Sequence, residues 1–131
     1  MKKCRMQNAQ RTMKMRANPI EEKSFAFSVR IVRLHKHLTQ KQHEFVLSKQ
    51  ILRSGTSIGA NISEAEFAQS KADFYSKMSI ALKEASETYY WLRLLHAGEY
   101  LSDSEFESMG KDVNELIRLL ISICRSAQQN N

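Results

Sequence analysis

Ser70-Lys-Ala-Asp-Phe-Tyr-Ser-Lys-Met-Ser-Ile-Ala-Leu-Lys-Glu-Ala-Ser-Glu-Thr-Tyr-Tyr-Trp-Leu-Arg-Leu-Leu95 is the stretch on which the fold turns. Phe74, Met78, Ala81, Ala85, Thr88, Leu92 and Leu95 follow one another at alternating steps of four and three. That spacing gathers them on one stripe of a helix sustained over three heptads. Ser70 stands just before the stripe with Asp73 three residues on, a capping pattern, and Gly98 is the natural stop after it.

The same grammar extends in both directions. Ser102-Asp-Ser-Glu105 is a second capping box, and Phe106, Met109, Val113, Leu116, Leu120 and Ile123 run along the helix it opens. On the other side, Asn18-Pro19-Ile20-Glu21 starts a first helix, since Asn can cap and Pro suits the first helical position. Its stripe is Phe27, Ile31, Leu34 and Leu38, widened by Phe25, Val29 and Val32. Thr39-Gln-Lys-Gln42 repeats the capping signature and marks the turn into a second helix, with Leu47, Ile51, Ile58 and Ile62 in its core, Gly55 between them, and an end near Ala65.

Four helices on short connections must be antiparallel neighbours. The expected fold is therefore all-α: an antiparallel up-down-up-down four-helix bundle over residues 18–127, with a disordered basic leader at 1–17 and a frayed polar tail at 128–131.

Composition agrees with one core. The chain has 131 residues, 42% of them hydrophobic, with one Pro and four Gly, which suits a single domain of long uninterrupted elements. The net charge of +6 lies wholly in residues 1–20, which hold Lys2, Lys3, Arg5, Arg11, Lys14 and Arg16 and no acid; the rest is balanced. Two origins fit that leader: a basic arm, or a start-site artefact upstream of Met13 or Met15. It contains no signal-peptide pattern. Cys4 and Cys124 cannot frame a disulfide scaffold, and no Cys/His spacing suggests zinc, so a reduced cytoplasm is expected. No apolar run is long enough to span a membrane.

The second helix carries an anomaly. Gly55 and Gly59 each cost about 1 kcal/mol against Ala inside a helix, and they lie one turn apart on one face. Close backbone packing accounts for them, in a motif of Ser54, Gly55, Ser57, Gly59 and Asn61. A phosphate cradle does not, because no Lys-Ser or Lys-Thr follows the second glycine.

This stretch (Gln50 to Ala65), the segment Ser70 to Leu92 and Lys23-Ser-Phe-Ala-Phe-Ser-Val-Arg-Ile-Val32 together resemble the bacterial four helix bundle proteins encoded in intervening sequences of 23S ribosomal RNA genes. The resemblance covers about residues 18 to 126. That family, whose molecular role is unassigned, is similar in turn to the accessory protein of diversity-generating retroelements, a ring-shaped homopentamer thought to hold nucleic acid and a reverse transcriptase through basic surfaces. The resemblance implies a homo-oligomeric ring, a pentamer by that analogy, with an RNA or nucleoprotein partner and no cofactor. The balanced charge of the folded part departs from the strongly basic retroelement protein.

A local basic face survives that balance. Residues 22–63 contain only Glu22 and Glu44 as acids, leaving Arg30, Arg33, Lys36, Lys49 and Arg53 as candidate nucleic-acid contacts. An ordinary solvated face is the other reading. Asn61 and Glu64, and Glu84 and Glu87, each share a helix face and suggest a polar network with Ser54, Ser57, Thr88 or Arg53 rather than a metal centre. A di-iron bundle site needs Glu-x-x-His on two helices, and none of His35, His37, His43 or His96 has Glu three residues before it. Tyr89, Tyr90 and Trp91 occupy successive positions, so one must face outward. They could stack a nucleobase, bury against a neighbouring subunit or pack within the chain. No Gly-x-Ser-x-Gly elbow or other catalytic constellation occurs, and the expectation is a non-enzymatic protein: a scaffold or accessory factor, or alternatively a pure protein-interaction module.

Overall fold

The computed structural model describes residues 19–129, which form four helices: α1 (Pro19–Gln40), α2 (Leu47–Ala65), α3 (Lys71–Ala97) and α4 (Asp103–Gln129). They pack as an antiparallel bundle in which each helix meets its sequence neighbours and α4 returns beside α1. The leader, with Cys4 and the expected Asn18 cap, lies outside the described residues. The bundle expected to end at residue 127 continues through Gln129, within the one or two residues by which helix ends are ordinarily uncertain.

Local chemistry sets the boundaries. Ser70 accepts the Asp73 backbone N–H at 3.0 Å, and the box at α4 is complete: Glu105 N–H donates to the Ser102 hydroxyl and Ser102 N–H to the Glu105 carboxylate. The Ser102 backbone N–H foremost, and the Ser102 hydroxyl as a donor to the carboxylate next, hold the Glu105 carboxyl below the usual glutamate range. At the end of α3, the Tyr100 N–H reaches the Leu95 carbonyl and the Glu99 N–H that of His96. The left-handed residue of this Schellman turn is Glu99 (φ 69°), not Gly98, which occupies the position before it.

One expected cap is replaced. Thr39 is inside α1, its hydroxyl donating to the His35 carbonyl. Glu44 opens α2 instead: its carboxylate accepts the N–H groups of Leu47 and Ser48 at 3.1 and 2.8 Å. A carboxylate placed on a helix N-terminus satisfies orphan donors and complements the dipole.

The core follows the predicted stripes. Phe27, Ile31, Leu34 and Leu38 of α1 face Ile51, Ile58 and Ile62 of α2, Met78, Leu92 and Leu95 of α3, and Val113, Leu116 and Leu120 of α4, all buried. Leu47, Phe74, Phe106 and Ile123 are only half-buried at its margins. Phe25 and Val32 do not widen the α1 stripe: they are 71% and 50% exposed, and Val29 is half-buried. Each sits too far around the helix from Phe27 and Ile31 to reach the core.

Candidate interaction surface

The seam between α1 and α2 is where the glycines act. A Cβ on Gly55 would lie 2.7 Å from Ile31 Cγ1, so a side chain there forces the buried isoleucine aside. Gly59 faces Ser24 and Ser28, where a Cβ would meet the Ser28 hydroxyl at 3.0 Å and the Ser24 carbonyl oxygen at 3.5 Å. Ser54 faces α3, buried, and accepts a hydrogen bond from the Thr88 hydroxyl at 2.9 Å. Ser57 and Asn61 bond each other within α2, the Asn61 amide donating to the Ser57 carbonyl and hydroxyl.

The polar residues proposed as one network fall into separate groups. Arg53 binds Glu84 and Glu87 of α3, and Glu87 also accepts the Trp91 indole N–H at 3.2 Å. Glu64 pairs with Lys77 at 3.1 Å. Thr88 joins its Ser54 bond to one with the Glu84 carbonyl. Asn61 meets none of the glutamates. Among the described residues no group of three or more His, Cys, Asp or Glu is placed to hold a metal ion, and none of the described helices is long and apolar enough to cross a membrane. Cys124 is buried, its sulfur 3.9 Å from the Ser79 hydroxyl.

The candidate phosphate-binding residues divide. Arg30 reaches α4, pairing with Asp112 at 2.5 Å and with the Ser108 hydroxyl at 2.9 Å, and Arg53 is held by α3. Arg33, Lys36 and Lys49 are exposed and form no ion pair with a described residue, and Lys41 shares that condition. Glu44, the acid nearest them in the chain, is occupied with the N-terminus of α2.

The three consecutive aromatics point three ways. Tyr89 is half-buried toward α4, stacked on Phe106 with ring centroids 6.1 Å apart. Trp91 is half-buried beside Glu87, and Tyr90 is the exposed member, meeting Trp91 edge-on. Tyr90 is not alone. The exposed large apolar side chains are Phe25 and Val32 on α1, Phe45 and Val46 before α2, Phe67 after it, and Ile80, Tyr90 and Leu94 on α3; α4 has none among its described residues.

Helical geometry collects them around α2. Phe25 and Val32 are each two residues from Lys23 and Arg30, which reach α4, so they lie on the opposite flank, toward α2. Ile80 and Leu94 are seven residues either side of Glu87, which faces Arg53 of α2, and share its flank. The sequence reading missed Phe45, Val46 and Phe67; the one available signal was their place off the 3–4 stripe beside the helix ends. A separate apolar groove of 810 Å³ lies at the other end of the bundle, between Ile20, Ala65, Phe74, Leu119 and Ile123.

These features define a small helical-bundle protein with exposed apolar side chains gathered on the flanks either side of α2, adjoined by basic residues that form no ion pair with a described residue. The chain belongs to the 23S rRNA-intervening sequence protein family, whose model matches residues 16–122. It is similar to a crystal structure of a protein of unknown function from the S23 ribosomal protein family of Bacteroides thetaiotaomicron, with 60% identity and a TM-score of 0.79. That similarity covers 80% of this chain and 97% of the other. No curated protein matches the chain.

Proposed function

We propose that this protein is a non-enzymatic, cytoplasmic, self-assembling helical scaffold that serves a nucleic-acid process. The observation that carries the reading is the one-sided distribution of exposed apolar residues: α1 and α3 carry them on the flanks either side of α2, others stand at the two ends of α2, and α4 has none among its described residues. Exposed apolar side chains concentrated on one side of a protein mark interaction sites, and aromatic residues are enriched at the centres of interfaces. The α1 side and the α3 side of α2 are different surfaces. Contact between unlike surfaces is heterologous, and when the rotation closes it generates a ring. A pentamer is the size implied by the likeness to the retroelement accessory protein, and the same likeness points to nucleic acid as the associated polymer.

Light scattering of the full chain at high micromolar concentration tests the assembly. A closed oligomer is expected, and Leu94→Asp with Tyr90→Asp should dissociate it while leaving the helical circular dichroism intact; a wild-type monomer overturns it. The rival, a protein-interaction module without nucleic-acid affinity, draws on the pairing of Arg30 and Arg53 with carboxylates. Loss of all RNA binding on removal of residues 1–14 would favour that rival.

A further inference from the structure

We propose that the α1–α2 turn, with the adjoining flank of both helices, is a binding surface for unpaired nucleic acid in which Phe45 and His43 supply stacking faces and Arg33, Lys36, Lys41 and Lys49 contact phosphates. This deepens the nucleic-acid part of the proposed function and rests on it. The sequence brings these groups together because the turn is short: six residues separate Gln40 from Leu47. Lys41, His43 and Phe45 are all exposed, Phe45 by 62%. His43 has a left-handed backbone (φ 55°), uncommon for a residue with a side chain. Its ring lies 6.4 Å from that of Phe45, tilted by 43°.

Charge completes the surface. Arg33 and Lys36 are three residues apart on α1 and so neighbours on one side of the helix, about 5–6 Å apart at Cβ. Glu44, the acid within the turn, points its carboxylate into the backbone N–H groups that open α2. Its charge is spent on the helix end, and that same occupancy removes the N-terminus of α2 as an anion site. Within the turn, what remains outward is basic and aromatic; the exposed acids Glu99, Asp103 and Glu105 belong to the α3–α4 turn beside it, which Gln42 meets at the Tyr100 carbonyl.

This pairing favours single strands over duplexes. A duplex offers a row of phosphates but keeps its base faces stacked, so exposed rings would gain nothing from it. A single strand offers both, and proteins that hold it combine a basic track with aromatic platforms. An anionic membrane could also attract cations and exposed Phe45, but the cations extend along α1 and α2 instead of surrounding the turn alone, which suits a linear polyanion better.

The test is fluorescence anisotropy with the full chain, using a labelled oligouridylate, a duplex RNA of equal length, and anionic phosphatidylserine vesicles. The leader is unchanged in every variant, so differences report the turn. The oligouridylate should bind more tightly than the duplex, and Phe45→Ala should weaken it about tenfold, the scale of one lost stacking contact. Lys41→Ala should lower the slope of log affinity against log salt by about 0.7. Both variants should keep the wild-type mass and melting temperature. Equal binding of the oligouridylate by wild type and Phe45→Ala overturns the inference while leaving the scaffold reading intact. So does a fall in oligomer mass in Phe45→Ala, which would make Phe45 an assembly contact, or Phe45-dependent binding to the vesicles in place of RNA. Failure of the wild type to bind either RNA removes the nucleic-acid part of the proposed function and this inference together, with assembly judged separately by light scattering.

Discussion

Along its α2 side, α1 presents Ile31, Ser24 and Ser28 to two glycines, whereas along its α4 side it reaches across with Lys23 and Arg30 to Glu115 and Asp112. The first seam is closed by removing side chains, the second by long charged ones. Close approach leaves no room for error, because a buried interior neither expands nor compresses cheaply. Exposed ion pairs tolerate change, since water replaces what is lost and their worth is about 0–1 kcal/mol. The difference teaches that α1 is positioned from its α2 side.

The largest effect should therefore come from Gly55. Gly55→Leu is expected to cost about 3 kcal/mol, the upper range for overpacking a filled core, because the first added carbon already collides with Ile31. Gly59→Ala should do the reverse and gain up to about 1 kcal/mol of helix propensity, since the tightest neighbour is the hydroxyl of Ser28, which can rotate. Urea unfolding at one fixed protein concentration measures both. An undiminished Gly55→Leu would remove close packing as the reason for the glycine, and a Gly59→Ala loss as large as that of Gly55→Leu would make the two positions equivalent.

This contrast also marks where sequence reading succeeds. The stripes of α3 and α4 were legible because steps of four and three leave a helix one way to bury them, and Ser70 and Ser102 announce their caps locally. Gly55 was legible as a cost that needed an offset, although only the fold supplies Ile31 as its neighbour. Phe25 and Val32 were misread because a hydrophobic residue beside a stripe looks like part of it; which flank is covered depends on the other helices. Thr39 failed as a cap for a related reason. A Thr followed three residues later by Gln satisfies the local pattern, yet Glu44, nearer to α2, satisfies two N–H groups with full charge. The candidate polar network was not legible as one unit, since α2 and α3 run antiparallel and their register decides that Arg53, not Asn61, meets Glu84 and Glu87 while Glu64 pairs with Lys77. Arg30 looked free because its partner, Asp112, is far along the chain.

The α1–α4 seam gives a smaller prediction. Arg30→Ala removes the pair with Asp112 and the bonds to Ser108, all at the surface, and should cost less than about 1 kcal/mol. Salt should shrink that cost, because exposed pairs are screened, while the Gly55→Leu penalty should not change with salt. Equilibrium unfolding of both variants at low and high sodium chloride makes the comparison. A salt-independent Arg30→Ala loss of several kcal/mol would mean that the seam is held as rigidly as the glycine side.

Acid should separate the two seams with the least effect of all. Lys23 holds the Glu115 carboxyl below the usual glutamate range, first by its hydrogen bond and then by its charge. A carboxyl whose folded pKa is lowered stabilises the fold above its unfolded value, about 4.3, and that contribution disappears as the pH falls through the lowered folded value. The wild type should therefore lose stability on going from pH 6 toward pH 3, and Glu115→Gln, which cannot titrate, should lose less over the same interval. Gly59→Ala supplies the control, because nothing ionisable lies at its contact with Ser24 and Ser28, so its offset from the wild type should be the same at both ends. If Glu115→Gln follows the wild type throughout, the acid sensitivity belongs elsewhere, with the Glu105 box at the start of α4 the next carboxylate to replace, and the ionic seam adds nothing measurable to the placement of α1.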